Sequence, residues 1–443
     1  VFKKFTLCTF RMLAGSMILF QCASGQTQIV GEAPAGSVDG RNAVFTLKNA
    51  PYPGVLAVFK NGLRLNANSD YSASGNKISF SAPSVPQPGD QLQADYTPQP
   101  ASYIKTVTIN HAKVANSDQA GFPVYLVLSD AALKTVANGG HVQSSSGADI
   151  AFYGDAAATQ LLPFEIVSYN GATGSLTAVV RCPNLSHTTD TVFYLVYGSV
   201  SITTSAANSK AVWAGYAGVY HLEDAGNSTQ IGNAAAGEGQ AGTGTSVRPA
   251  SVITTAGVLG SGLVSNGTTD HLDLGSYAAI NSATALTYSG WVKFNSLSEY
   301  ALILGKFDSS WTNGSGVTLS GHWTTSDQDW YTAVRANVST GDTTNGFGIQ
   351  TNVWYYFAYV YAGSSATLYI NGAAVRLVHY GPANPSAVPS VTADLIAGAT
   401  LAGALDEVRI STRAYSGDWI ATEYNNQSSP ASFASLSAEL AQH

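Results

Sequence analysis

The sequence predicts an all-β protein, a series of tandem β-sandwich modules ending in a jelly roll of two packed sheets. Three observations carry this reading. Only 11% of the 443 residues are charged against 45% hydrophobic, so Ser, Thr, Asn and Gly supply most of the polarity, and they suit strands and turns. Apolar and polar residues alternate with a period of two along many short runs. Dipeptides that favour positive φ, such as Asn61-Gly62, Gly75-Asn76 and Asn371-Gly372, stand between those runs. The hydrophobic fraction supports packed cores and excludes a disordered chain. The formal net charge is -7, with no basic cluster beyond the extreme N-terminus, which excludes a nucleic-acid groove.

Residues 1–25 read as a secretory signal. Lys3, Lys4 and Arg11 precede a short apolar run from Met12 to Phe20, and Ala23-Ser24-Gly25 offers small residues for cleavage before Gln26. That run is shorter than the roughly 20 residues of a membrane span, and no later stretch reaches about 18, so no transmembrane span is expected. The expected localisation is secreted, either extracellular or at the cell surface. Cys22 offers a second route, as the acylated cysteine of a lipoprotein, although Gln21 stands where such signals carry a small residue. Removal of the signal leaves Cys182 alone, which excludes an intrachain disulfide and a cysteine-based zinc site. In VVRCPNL it is expected to be a small core residue.

The first segment, 27–98, contains VFTL (44–47), VLAVFKNGLRL (55–65), DYSASGNKISF (70–80) and QLQADY (91–96), each a strand candidate. VFKNGLRL, DYSASGNKISF and GDQLQADY together resemble a small β module of phage tail-fibre and bacterial surface proteins. The resemblance implies a spacer or presentation role. Thr97-Pro98-Gln99-Pro100 forms a stiff linker.

The second segment, 102–200, holds six strand candidates: YIKTVTINH, FPVYLVLSD, ADIAFYG, LPFEIVSYN, GSLTAVVRC and TVFYLVYGS. Six strands in about one hundred residues argue a β-sandwich. In that order they resemble an uncharacterised family of secreted bacterial β domains, a domain of unknown function that commonly precedes a laminin-G-like domain. No chemistry follows from it.

The third segment, 203–437, runs from AVWAGYAGVYHLED (211–224) to ALDEVRISTRAYSGDWIATEYNNQ (404–427) and contains every Trp of the chain. Many strands without a long helical period indicate a jelly roll. YHLED, SNGTTDHLDLG, SGWVKF, LYINGAAV and LDEVRIS resemble, in this order, the concanavalin A-like or laminin-G-like lectin fold. Trp291 and Trp354 alternate within strong strands and are expected in the core. Residues 416–426 form the one convincing helix, with Ser416 as its N-cap. The helix is similar to the terminal helix that follows this domain in secreted bacterial proteins.

The resemblance raises catalysis and metal binding. Retaining glycosidases of this fold carry Glu-x-Asp-x-x-Glu on one strand, because two carboxylates must flank the scissile bond at about 5–5.5 Å. No Glu here has that spacing. Asp327-Gln328-Asp329 is a polar run that reads as an exposed loop. His-Glu-x-x-His, Gly-x-Ser-x-Gly and phosphate-loop motifs are absent. His221 and His271 read as hydrogen-bonded strand residues rather than metal ligands. A structural calcium takes carboxylate and carbonyl oxygens. The resemblance implies one where first and last strands meet, and the matching residues are Glu223, Asp224, Asp406 and Glu407, with Asp270 and Asp273 as a second set.

Sugar recognition needs an aromatic platform with hydroxyl and amide groups beside it. Trp311, Trp323, Trp330 and Tyr331 cluster in a stretch rich in Gly, Ser, Thr and Asn that reads as loops, where ligand sites on such scaffolds sit. The expected function is a non-enzymatic, secreted, modular surface protein whose last domain binds glycan or an extracellular polymer. The rivals are a self-associating structural or adhesive component and a glycoside hydrolase with a divergent site.

Overall fold

A computed structural model describes residues 28–52, 54–98, 102–224, 231–236, 253–268, 270–297, 301–308, 315–323, 328–336 and 339–442, with Ile253, Thr254, His322 and Trp323 described by their backbone alone. The expected signal, residues 1–25, lies outside them. The chain divides into two compact units at residue 100.

The first unit packs a four-stranded sheet, in the order Ile29–Glu32, Leu92–Tyr96, Ala57–Lys60, Leu63–Arg64, with a three-stranded sheet of Val44–Thr46, Lys77–Phe80 and Tyr71–Ser74. Phe45, Val58, Ile78, Ala94 and Tyr96 are its core. Lys60 pairs with Leu63 across Asn61 and Gly62, both at positive φ, the geometry that a two-residue hairpin requires.

In the second unit, residues of the second segment form two antiparallel sheets. Phe164–Asn170, Ser175–Leu185 and Gln119–Ser129 make one; Ala151–Tyr153, Thr191–Tyr197 and Ser102–Ile109 make the other. Phe122, Val124, Phe152, Phe164, Val180, Phe193 and Leu195 pack between them, with Cys182 buried among them as expected. The edge beside Ser102–Ile109 is covered by the end of the chain: Ala434 pairs with Ile109, and Leu440 with Ile104. Strands from beyond the jelly roll thus complete the sandwich that precedes it, and the jelly roll is inserted between them.

The jelly roll consists of an eight-stranded and a seven-stranded antiparallel sheet. Tyr288, Val292, Phe294, Ile303, Leu319, Trp330, Phe357, Tyr359 and Val408 fill the space between. The eight-stranded sheet is apolar on both sides. In Trp354–Ala362, Tyr355, Phe357, Tyr359 and Tyr361 face the jelly-roll core, while Tyr356, Ala358 and Val360 join Trp291 in the core of the preceding sandwich. A continuous apolar run is the signature of a strand buried on both faces. Helix Gly417–Ser428 lies in the same joint. The Ser416 hydroxyl accepts from the Trp419 N–H at 3.1 Å, the expected cap, and Trp419 and Ile420 pack into the shared core. Trp291 is buried as expected; Trp354 is half-buried, with the Lys293 ammonium 5.0 Å from its ring centre.

Candidate functional site

The proposed calcium ligands lie where the two halves of the second unit meet. In strand Ala402–Ser411 a β-bulge opposite Ser289–Trp291 puts Glu407 at φ 51°, so Asp406 and Glu407 serve different surroundings. A side chain on Gly290 would meet the Asp406 and Glu407 carbonyl oxygens at 3.2 and 3.1 Å, so the bulge requires glycine there.

Glu407 is fully buried. It accepts from the Tyr125 hydroxyl at 2.5 Å, from His221 Nδ1 at 2.8 Å and from Arg409 at 3.0 Å. Arg409 also donates to Glu423 at 2.7 Å and lies over the Trp213 ring. His221 Nε2 stands 3.4 Å from Glu165 Oε2, a charge contact longer than a good hydrogen bond, and that same oxygen accepts from Trp213 Nε1 at 2.7 Å. Tyr125 and Glu165 belong to the preceding sandwich, so the network ties it to the jelly roll. Burial works against charge on His221, and the Glu407 and Glu165 carboxylates overcome it, raising its pKa to about 10. Burial likewise opposes charge on Glu407, yet His221, Arg409 and Tyr125 hold its carboxyl below the usual range.

Asp406 has no such partners. Its Oδ2 accepts the Val258 and Leu259 N–H groups at 2.7 and 3.0 Å, and its Oδ1 has no hydrogen-bond partner among the described residues. Burial and the neighbouring Glu407 charge hold its carboxyl well above the usual range. Glu223 accepts from the Ser261 N–H at 3.2 Å, and Asp224 from the Gly232 N–H at 2.9 Å. Glu407 does not fit the expected calcium site, because its carboxylate is spent on Tyr125, His221 and Arg409. The second set serves its turn instead: Asp270 accepts from the Asn266 N–H at 3.3 Å, and Asp273 from the Gly275 N–H at 2.9 Å. Among the described residues, no three His, Cys, Asp or Glu side chains gather to hold a metal.

The aromatic stretch is not a set of loops. Gly316–Trp323 and Gln328–Arg335 pair as neighbouring strands within the seven-stranded sheet, with Gly321 opposite Trp330. Trp330 is 0% exposed and meets Phe294, Phe347 and Tyr355 edge-on at 5.7–6.2 Å, so it is core and not a platform. Asp329 is buried too, accepting from the Thr344 hydroxyl and the Gly346 and Phe347 N–H groups, so the acidic run is not an exposed loop at this position. Trp311 and the Trp323 side chain lie outside the described residues.

Tyr331, one residue on, faces the other way. It is opposite Ser320, on the face of the sheet turned away from the jelly-roll core, with Thr318, Ala333 and Arg335, all of them buried. Its hydroxyl accepts from Arg335 at 3.2 Å, and its ring stacks on Tyr380 with centroids 6.3 Å apart. Tyr331 itself is buried, whereas Tyr380 is 41% exposed. Sequence reasoning missed Tyr380, because strand Leu377–Tyr380 is short and its pairing with Gly341–Thr344 is not visible locally. The next turn is pinned: Thr340 Oγ1 donates to the Tyr380 carbonyl at 3.0 Å, and His379 bonds Asp342 at 3.0 Å. A fixed, exposed aromatic ring backed by a second ring and a guanidinium has the chemistry that receives the C–H face of a sugar.

Residues 266–421 match the family model of the concanavalin A-like lectin/glucanase superfamily. No curated protein matches the chain. Similar solved structures include domain 4 of AbnA, an extracellular GH43 arabinanase from Geobacillus stearothermophilus, in complex with arabinotriose (17% identity, 47% of this chain and 98% of that one, TM-score 0.36). A sialidase from Trypanosoma rangeli matches at 13% identity over 48% of this chain and 33% of its own, with a TM-score of 0.35. The binding domain of Paraclostridial Mosquitocidal Protein 1 matches at 14% identity, 49% and 52% coverage, and a TM-score of 0.36. The chain spans about a third of the length of the sialidase.

Proposed function

We propose that this chain, whose residues 266–421 form a concanavalin A-like domain, binds a glycan or other extracellular polymer and does not cleave it. The observation that carries the reading is Tyr380, an exposed ring stacked on Tyr331 on the outer face of the seven-stranded sheet. The opposite sheet of the domain is sealed by the preceding sandwich, and Thr318, Ser320, Ala333 and Arg335 on this sheet are buried too, so recognition falls to the exposed edge strand that carries Tyr380. Two features support binding over hydrolysis. The sequence lacks the spaced carboxylates of the glucanases, and Asp329, Asp406, Glu407 and Glu423 are buried and bonded within the fold. A pair of catalytic carboxylates must instead open onto the sugar.

On this reading the chain is exported through residues 1–25, and its first module spaces or presents the second unit. The test is affinity for a retained polysaccharide, measured for wild type and Tyr380→Ala. Loss of one stacking ring, worth about 0.5–1.5 kcal/mol, weakens binding up to about tenfold. The melting temperature should stay unchanged, because the ring is exposed. Unaltered affinity in Tyr380→Ala overturns the assignment of the site.

A further inference from the structure

The preceding sandwich has a feature that its sequence did not announce. A surface cleft of about 380 Å³ opens where Thr108, Asn110, His111 and Asp190 meet Ser432 and Ser435. Its walls come from the sandwich that precedes the inserted jelly roll and from the segment that follows it, where Ala431 and Ala434 add apolar surface beside the polar groups. Thr108 and Ser435 are paired across the strands, which sets their hydroxyls side by side.

The polar groups are held in place. The His111 backbone N–H and ring Nδ1 both meet Asp190 Oδ1, at 3.1 and 2.6 Å. That leaves Asp190 Oδ2 and His111 Nε2 without a bond among the described residues, and both side chains are about half exposed (50% and 43%). The His111 bonds hold the Asp190 carboxyl below its usual range, so the acceptor is charged. The same two loops are clasped again in the opposite sense: His187 binds Asp118 Oδ1 through its N–H at 2.9 Å and its ring at 2.6 Å. Asn110 caps the Ala112 N–H at 3.0 Å, and Ser432 Oγ donates to the Ser429 carbonyl at 3.0 Å, leaving its lone pairs to accept. The cleft is therefore built before any ligand arrives.

Its chemistry selects a ligand class. An apolar molecule would strand Asp190 and His111 without partners. An anion would meet the Asp190 charge, and no third carboxylate, His or Cys among the described residues joins this pair to complete a metal site. A neutral polyol fits: its vicinal hydroxyls meet one carboxylate oxygen, one imidazole nitrogen and several hydroxyls. The volume sits at the small end of the roughly 300–1,000 Å³ typical of small-molecule sites. We infer that this cleft binds a neutral mono- or disaccharide unit, at a site separate from the Tyr380 ring.

The experiment is saturation-transfer NMR on the full chain with glucose, galactose, N-acetylglucosamine, arabinose and cellobiose as probes. At least one probe should give a saturable signal. Asp190→Asn should weaken it about tenfold or more, as expected for loss of a charged hydrogen-bond acceptor. Ser435→Trp should abolish it by filling the cleft from an exposed strand position, and a matching melting curve would show the fold is intact. Tyr380→Ala should leave it unchanged, which separates this site from the polymer-binding one. Silence from every probe, or a signal that survives Ser435→Trp, overturns the inference.

Discussion

Deprotonating His221 should loosen the joint between the jelly roll and the sandwich before it. His221 faces Glu407 and Arg409 on strand Ala402–Ser411, Tyr125 on Gln119–Ser129, Glu165 on Phe164–Asn170 and, next but one in the chain, Glu223. Its pKa rises from 6.5 to about 10 on folding. The folded state therefore holds a proton that the unfolded state has lost across that window. The resulting stability is fully present below about pH 6.5 and disappears as pH climbs through about 10. At about 1.4 kcal/mol per unit, the whole effect is on the order of 5 kcal/mol. The assay is urea unfolding of the full chain at intervals from about pH 6 to about pH 10, for wild type and His221→Gln. The wild-type midpoint should fall steadily, and the difference between the two proteins should shrink as pH rises, since Gln carries no proton to lose. Asp406 and Glu223 are also raised on folding, so they contribute to the wild-type decline as well; that part is common to both proteins, and the difference between them isolates His221. Parallel wild-type and variant profiles across the alkaline range would refute the charged His221.

Three further outcomes follow from the same contacts. Arg409→Met strands the Glu407 and Glu423 carboxylates in the joint and should cost about 3–5 kcal/mol by denaturant titration; a cost below about 1 kcal/mol would deny that the network is dry. Trp330→Ala should destabilise the second unit by about 3–5 kcal/mol, while glycan affinity at a temperature where the variant is folded stays that of wild type. Chelation should leave the melting temperature unchanged and Asp406→Asn should cost little, since burial disfavours the charge that the substitution removes; a drop of several degrees, restored by calcium and absent in the variant, would reinstate a metal at Asp406.

What the sequence made legible was local. Asn61-Gly62 and Asn371-Gly372 adopt the positive φ that their hairpins demand at every one of the four residues. Ser416 caps its helix, and Cys182 and Trp291 are buried. The all-β class and the concanavalin A-like domain followed from such signals in series. The candidate site was legible only in part, because it depends on parity and register. Trp330 and Tyr331 are neighbours that face opposite sides of one strand, and only the pairing with Gly316–Trp323 says which side is the core. Tyr380 reaches Tyr331 from 49 residues away in sequence through a four-residue strand. The closing strands at 434–442 lack a strong alternating pattern and gain order from pairing with Ser102–Ile109. Glu407 matches a calcium position through the family resemblance, and its alternative partner Arg409 stands two residues on in the same strand, whereas Tyr125 and His221, which also claim it, come from distant segments.

Binding without cleavage is the centre of the account, and one experiment on the full chain reads both halves. Purified protein is incubated with a panel of insoluble and immobilised plant and microbial polysaccharides, and each is scored for protein retained and for reducing ends released. The expected result is retention on at least one polymer, reduced in Tyr380→Ala, with no reducing ends above the protein-free control. Release of reducing ends that scales with protein concentration, or failure to be retained on any polymer, would contradict it.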